Sequence, residues 1–431
     1  MPRLHYSQFN HVVKAPDERG WVLFNFATGS LEQLDAVQKN LFDSALSLPV
    51  NSPVVRRWRA AGFLSAMDEV SYVRERVRNR VFDIARARSP LPLMLTVCPT
   101  ARCNFACPYC FQESDDANMT RETQESLVRF VEKRLATGSY NELRVDWFGG
   151  EPLLVPGIVE HLSNELIALA ERYDVPYKGL VHTNGYLLTQ ENADMLESCR
   201  VTKIIVTVDG DRATHDATRH LKGGSPTYDR IMGNLEALHT GMTIHVRCNV
   251  HANNVGCLDN LRKQVENIAS RSGTSMRVVP AAVRENSVSA ARGDTTPLVD
   301  AESFALVLQG FGEVERSHAF TAADTVCPLV RLNELYVDVR GQIYPSCHVI
   351  AGDDAYGLGN VSDEGPLDWD AAAQKLADDF AFPDDQPKCL ACKLLPCCYG
   401  GCYATRYPTG EARCLELLAD PDAYVLSLID Q

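Results

Sequence analysis

Cys103, Cys107 and Cys110 lie on one short run, Cys98-Pro-Thr-Ala-Arg-Cys-Asn-Phe-Ala-Cys-Pro-Tyr-Cys-Phe111, with the spacing Cx3Cx2C. Three thiolates on such a loop can hold three irons of a cubane [4Fe–4S] cluster. A structural cluster normally takes four thiolates. The run supplies no fourth in register, so one iron would keep an open position for another ligand. Zinc is the competing reading. A zinc site wants a fourth Cys or His nearby, and Cys98 could supply one.

The flanking sequence favours the open cluster. The apolar run Leu93–Val97 reads as a buried strand feeding the loop. About forty residues on, Val145-Asp-Trp-Phe-Gly-Gly-Glu-Pro152 reads as a second strand ending in glycines. Glycines at a strand end let backbone approach a ligand closely, and the carboxylate of Glu151 suits an ammonium group. His182-Thr-Asn-Gly185 ends a third apolar run and Ile204-Ile-Val-Thr-Val-Asp-Gly210 a fourth, followed by Thr214-His-Asp-Ala-Thr-Arg219. Asp209-Gly210 is also compatible with an ordinary turn.

With these residues together, the chain resembles the radical S-adenosylmethionine (SAM) superfamily. An aromatic residue, Tyr109, precedes the third cysteine there, and SAM occupies the open iron. The resemblance implies that Gly149, Gly150 and Glu151 grip the amino group of SAM. It also implies that Thr207 stands where a Ser contacts SAM, that Arg219 helps hold its carboxylate, and that Asn184 and Tyr109 belong to the same cofactor site. Asn249 is a weaker candidate at the end of its strand. The Asp209-Gly210 and His215-Asp216 stretch is similar to that of superfamily members carrying a SPASM extension.

The elements that must position these residues alternate along the chain. Candidate strands are Leu93–Val97, Leu143–Phe148, Tyr177–Thr183, Lys203–Asp209, Thr243–Val250 and Met276–Ala282. Candidate helices are Arg121–Ala136, Val159–Tyr173, Gln190–Cys199, Tyr228–Thr240 and Leu258–Ser270. Such alternation implies a parallel sheet with right-handed crossovers. The expected fold is α/β, a partial (β/α)6 TIM-like barrel over residues 89–310, with chemistry at the C-terminal ends of its strands. The segment 284–296, rich in Ser, Ala, Arg and Gly, reads as a linker or flexible loop.

Residues 311–431 form the second cysteine-rich stretch. Cys389, Cys392, Cys398 and Cys402 are spaced Cx2Cx5Cx3C, with Cys327 and Cys347 upstream and Cys414 downstream. A zinc module is one reading of that spacing. Resemblance to the SPASM domain implies another, two auxiliary [4Fe–4S] clusters and three in all. Cys389, Cys392, Cys398 and Cys414 would then ligate the outer one, and Cys327, Cys347 and Cys402 the inner one. Cys397 is an alternative to Cys398. Sulfatase-maturating relatives have a further Cys where this chain has Asn333, and a general-base Asp where it has His348. His348 is therefore a candidate catalytic residue, since imidazole exchanges protons near neutral pH.

Residues 1–88 contain no cysteine. Trp21–Phe26, a Thr28-Gly29 turn and Ser30–Leu34 suggest a β-hairpin. Helical patterns follow at Asp35–Leu46, Pro53–Ala61 and Val70–Arg86. The set resembles a winged-helix-like module, the RiPP recognition element, which captures leader peptides by strand addition. Arg74, Arg76, Arg78, Arg80, Arg86 and Arg88 crowd the last helix; they make either a solvated face or a patch for an acidic peptide.

The chain has 431 residues, 45% of them hydrophobic, enough for a large core and two or three domains. Its net charge of −14 argues against a general nucleic-acid binder, and no apolar run reaches membrane-spanning length. Fifteen cysteines in a chain with no signal-peptide pattern point to a cytoplasmic protein that ligates iron or zinc. The expected function is modification of a ribosomally made precursor peptide, by a C–C, C–S or C–O crosslink, with a reductant such as flavodoxin or ferredoxin. Epimerisation, maturation of a protein substrate, and a metal-stabilised transcription regulator are the alternatives. An epimerase would need a hydrogen donor, for which Cys98, Cys199, Cys248 and Cys257 are available.

Overall fold

The computed structural model describes residues 3–16, 19–85, 91–112, 115–284, 289, 291–311, 332–345, 357–363, 368–379, 383–400 and 420–429. The chain divides into two compact units, one built on Met1–Phe82 and Gln374–Gln431, the other on Asp83–Phe311 and Arg331–Ala373.

In the first unit β1 (His5–Tyr6) pairs with β5 (Leu64–Ser65). Strands β2 (Asn10–Lys14), β3 (Trp21–Asn25) and β4 (Leu31–Leu34) form an antiparallel sheet in that order. The expected hairpin is β3–β4. It turns at Asn25, whose Oδ1 accepts from Ala27 N at 2.9 Å and Thr28 N at 3.0 Å. The helices run over Ala36–Asp43, Pro53–Ala60 and Glu69–Ala85. Asp35 caps the first through a reciprocal capping box with Gln38. Leu23, Leu34, Phe42, Val55, Trp58 and Phe63 close the core beneath them. Arg74, Arg76 and Arg78 of Glu69–Ala85 are engaged within the unit, Arg78 with Gln374 and Asp378. Arg74 pairs with Asp384, and Arg76 donates to Ala27 O at 3.0 Å. This favours the solvated face with acidic neighbours over a peptide-binding patch.

The second unit is a nine-stranded sheet. Six strands run parallel in chain order: β6 (Leu91–Val97), β7 (Tyr140–Trp147), β8 (Tyr177–Thr183), β9 (Val201–Thr207), β10 (Thr243–Val250) and β11 (Met276–Ala282). This is the expected partial barrel. The connecting helices are Arg121–Leu135, Pro156–Arg172, Gln190–Ser198, Tyr228–Ala237 and Leu258–Ser272. Side chains alternate along each strand. On β7 the apolar set Leu143, Val145 and Trp147 is fully buried, whereas Arg144 and Asp146 stay half-exposed on the other face. That polar face lines the barrel interior.

Beyond β6 the sheet continues into residues that sequence reading assigns to the cysteine-rich stretch. β12 (Glu334–Val337) pairs parallel to β6, and β13 (Gln342–Tyr344) and β14 (Gly359–Asn360) add antiparallel strands. Asn333 stitches this joint: its Nδ2 donates to Pro92 O at 2.9 Å and its carbonyl accepts from Met94 N at 2.8 Å. Cys327, Cys347, His348, Cys402 and Cys414 lie outside the described residues.

Candidate active site

Four strand ends of the barrel converge on the cysteine loop. The end of β7 is zipped to it by backbone bonds, Gly150 N to Thr100 O at 3.0 Å and Glu151 N to Arg102 O at 2.8 Å. The two glycines are sterically required. A Cβ on Gly149 would lie 2.5 Å from Cys98 Sγ, and its φ of +120° suits only glycine. A Cβ on Gly150 would strike the Arg102 carbonyl and lie 2.8 Å from Ala101 O. From the opposite side Ala106 N donates to His220 O at 3.1 Å, and Lys222 N to Asn104 O at 2.9 Å. The loop is thus clamped between the end of β7 and the segment after the helix Arg212–Thr218.

Within this clamp Cys103, Cys107 and Cys110 are each half-buried. Burial pushes the Cys107 thiol up to about 12 and the Cys103 thiol upward as well. Cys110 adds to the rise of both, Glu151 to that of Cys103 and Cys103 to that of Cys107. Cys103 Sγ accepts from Phe105 N at 3.4 Å, the kind of bond that stabilises a cluster thiolate. Among the described residues no three His, Cys, Asp or Glu side chains stand close enough to hold a single metal ion. A cubane spreads its thiolate ligands more widely than a single ion does. Three half-buried thiols on a braced loop, with backbone donors to sulfur, fit that group.

Glu151 is fully buried, and burial raises its carboxyl above the ordinary range. It accepts from Leu153 N at 3.1 Å, Asn184 N at 2.7 Å and Thr183 Oγ1 at 2.7 Å. Asn184 in turn donates from Nδ2 to Asn104 Oδ1 at 2.7 Å. The ends of β7 and β8 and the cysteine loop therefore share one hydrogen-bond network.

The second half of the site is a buried cluster of Tyr109, Asp209 and Arg219. Tyr109 donates to Asp209 Oδ2, and Arg219 Nη1 donates to the Tyr109 hydroxyl at 3.0 Å. Asp209 Oδ1 accepts from Asn249 N at 2.9 Å. Burial raises the Asp209 carboxyl and pushes the Tyr109 hydroxyl well up. Burial alone would lower the Arg219 guanidinium, but Cys107, Tyr109 and Asp209 outweigh it. Arg219 Nε is buried without a hydrogen-bond partner among the described residues, an orphaned donor of the kind a bound carboxylate satisfies. Thr207 ends β9 half-exposed, two residues before the buried Asp209.

Sequence reasoning named Arg219, Tyr109, Glu151 and Asn184, and the structure joins them through the loop. It read Asp209 only as part of a motif or of a turn and left Asn249 marginal, although their bond to each other connects the end of β9 to β10. His215 was read only as part of a motif. Its Nδ1 accepts from Asp209 N at 3.1 Å and its Nε2 meets Thr227 Oγ1 at 3.0 Å, so it braces the end of β9.

In the first unit Cys389, Cys392 and Cys398 are half-buried, whereas Cys397 is buried. Cys397 donates from Sγ to Phe26 O at 3.5 Å, and burial pushes its thiol up to about 12. Cys392 Sγ accepts from Leu394 N at 3.4 Å, as Cys103 does from Phe105.

Residues 97–252 match the model of the Radical SAM superfamily. Residues 97–252 therefore form a radical SAM domain, the domain of an enzyme superfamily that works with a [4Fe–4S] cluster and SAM. It is 25% identical over 205 residues to the radical SAM cyclopropyl synthase TigE of Paramaledivibacter caminithermalis, covering 43% of this chain and 41% of TigE. It is 28% identical over 166 residues to a serine-type anaerobic sulfatase-maturating enzyme of Klebsiella aerogenes, covering 36% and 39%. The chain thus spans about two fifths of the length of the curated relatives it matches. Among solved structures, Streptococcus suis SuiB bound to its precursor peptide SuiA superposes with a TM-score of 0.54 at 15% identity, over 96% of this chain and 98% of that one. That likeness is one of fold. No helix among the described residues is long and apolar enough to cross a membrane.

Proposed function

We propose that this chain modifies a ribosomally made peptide, drawing a substrate segment into the polar barrel interior beneath the cysteine loop. The observation that carries the reading is the clamp itself. Gly149 and Gly150 leave no room for a Cβ, and the loop they brace opens beside the buried Arg219 with its orphaned Nε. Such precision around three thiols serves ligand binding better than it serves folding.

Bound at the loop, the cluster and SAM would supply a hydrogen-abstracting carbon radical, while the protein would orient the reacting atoms and exclude water. Cys103, Cys107 and Cys110 would hold the cluster. Gly149, Gly150, Glu151, Asn184, Thr207, Tyr109 and Arg219 would form the SAM site, with Arg219 as the carboxylate partner. Cys389, Cys392, Cys398 and Cys414, and Cys327, Cys347 and Cys402, would hold two auxiliary clusters. The burial of Cys397 supports Cys398 as the ligand of the adjacent pair.

Three segments would divide the work: a recognition module near residues 1–88, the barrel near 89–310 and a SPASM region near 311–431. Strand β4 ends the first unit's sheet. Leu31 on β4 is 37% exposed, and Val37 and Leu41 on the following helix are 76% and 38% exposed. An open edge beside apolar side chains suits a leader peptide added as a strand. SuiB, the structural neighbour bound to its own precursor peptide, supports a peptide substrate. A flavodoxin or ferredoxin would supply electrons.

A crosslink is favoured over epimerisation. Cys98, Cys199 and Cys248, open as hydrogen donors from sequence, are all buried. Cys248 lies on the face of β10 away from the interior, and Cys257 donates to Asp211 at 3.4 Å. The test is co-expression with each short reading frame flanking the gene, followed by mass spectrometry. Loss of two hydrogens from one peptide is the expected result. A peptide of unchanged mass whose residue inverts in deuterated water would make the chain an epimerase instead.

A further inference from the structure

The barrel interior holds a histidine–carboxylate pair that the SAM site does not use. His182 on β8 and Asp146 on β7 both point to the half-exposed face, with His182 Nε2 3.1 Å from Asp146 Oδ2. Their side chains are 26% and 28% exposed, so both remain accessible. The pairing fixes the ring. A carboxylate facing Nε2 holds the proton on that nitrogen and leaves Nδ1 as a bare acceptor.

Aromatic rings join this pair to the cysteine loop. Phe111, directly after Cys110, stacks on Phe148 with centroids 6.0 Å apart and planes 19° from parallel. Phe148 meets the His182 ring edge-on at 5.0 Å. His182 is therefore two ring contacts from the third cysteine, and its neighbour Thr183 bonds to Glu151. Asp146 Oδ1 is buried without a hydrogen-bond partner among the described residues, so nothing on its own strand competes for the carboxylate.

We propose that His182, held by Asp146, accepts the proton that a substrate side chain releases in the barrel interior. The proposal rests on the crosslinking reading above. There a substrate C–H and X–H are replaced by one C–X bond. The C–H hydrogen would leave as an atom to the SAM-derived radical. One electron would pass to an oxidised iron–sulfur cluster, and the X–H proton would pass to His182 Nδ1. Atoms and charge then balance. The neighbouring rings of Phe111 and Phe148 favour a planar side chain, and the acceptor at Nδ1 demands a donor on it. A phenol is the simplest such group.

The test uses the full chain, anaerobically reconstituted, oxidised and labelled with [15N]histidine. His182→Gln, or His182→Asn should that variant fold better, assigns the resonance. N-acetyl-L-tyrosinamide and N-acetyl-L-phenylalaninamide are the probes. The expected spectrum shows His182 as the Nε2–H tautomer, with an Nδ1 signal that moves upfield with the tyrosine probe and stays in place with the phenylalanine probe. In Asp146→Asn the two tautomers mix and that difference disappears. A protonated Nδ1, or the same response to both probes, would overturn the role of His182 and leave the radical reading intact. A wild-type chain that releases no 5′-deoxyadenosine from SAM would overturn the radical reading and this step with it.

Discussion

Gly150→Ala gives the sharpest account of how the fold makes the site. The added methyl strikes the Arg102 carbonyl, which is backbone and has no rotamer by which to withdraw. The loop must move away from β7. That strains or breaks the bonds from Glu151 N to Arg102 O at 2.8 Å and from Gly150 N to Thr100 O at 3.0 Å. Each bond contributes about 1 kcal/mol net, and forcing a methyl into packed space adds about 1–3 kcal/mol. The total, about 3–5 kcal/mol, falls on the braced geometry of Cys103, Cys107 and Cys110. At about 1.4 kcal/mol per tenfold, 5′-deoxyadenosine release should drop by at least about a hundredfold. Gly157→Ala is the control: it opens a helix and its Cβ would meet nothing within 4 Å. Both variants would be reconstituted, counted for iron and assayed for SAM cleavage under reductant. A folded, iron-loaded Gly150→Ala chain that cleaves SAM at the wild-type rate would refute the reasoning.

Further outcomes follow from the same geometry. Tyr109→Phe leaves the buried Asp209 carboxylate short of its hydroxyl donor, a loss of about 1–3 kcal/mol read as a lowered Tm. Arg219→Met removes the only cation bonded to this cluster among the described residues and should cost about 3–5 kcal/mol; an unchanged Tm would contradict the buried charge network. Burial holds His215 down to about 3 from an ordinary 6.5. Between those values the unfolded chain binds a proton that the folded chain refuses. Stability is therefore full above about 6.5 and falls by about 1.4 kcal/mol per pH unit as the pH drops toward 3. Denaturant titrations of wild type and His215→Asn across that window should diverge on the acid side, the variant being flatter. Cys398→Ala should lose the iron of one cluster, whereas Cys397→Ala should keep its iron and lose only packing; iron counting on the two proteins decides between the adjacent thiols.

Much of this molecule was legible in its sequence, for reasons that differ by region. The strands β6 to β11 declare themselves because each alternates buried and half-exposed positions, and β6 to β10 are punctuated by Gly, Pro or Asn at or near their ends. The cysteine loop and the glycines after β7 are legible because their spacing has few other uses. The Asp146–His182 pair was invisible. Its members lie 36 positions apart on strands whose alternation marks them only as half-exposed. Asp209 was underrated for a similar reason, since Asp-Gly is a common turn and nothing local reveals that Tyr109 and Asn249 converge on it. The extension of the sheet by β12 to β14 was missed because these strands are two to four residues long and join β6 from more than two hundred positions away. The third strand of the first sheet, β2, was missed because Asn10-His-Val-Val-Lys14 shows only a short apolar core.

The central claim is that Cys103, Cys107 and Cys110 hold a cluster that cleaves SAM. The measurement that meets it most directly is anaerobic reconstitution of the wild-type chain and of the triple variant Cys103→Ala, Cys107→Ala, Cys110→Ala, with iron and sulfide counts and 5′-deoxyadenosine measured under reductant. About twelve irons and steady 5′-deoxyadenosine release from the wild type, against about eight irons and no release from the variant, is the predicted result. Zinc in place of iron, or SAM cleavage that survives loss of the three thiols, would contradict the account.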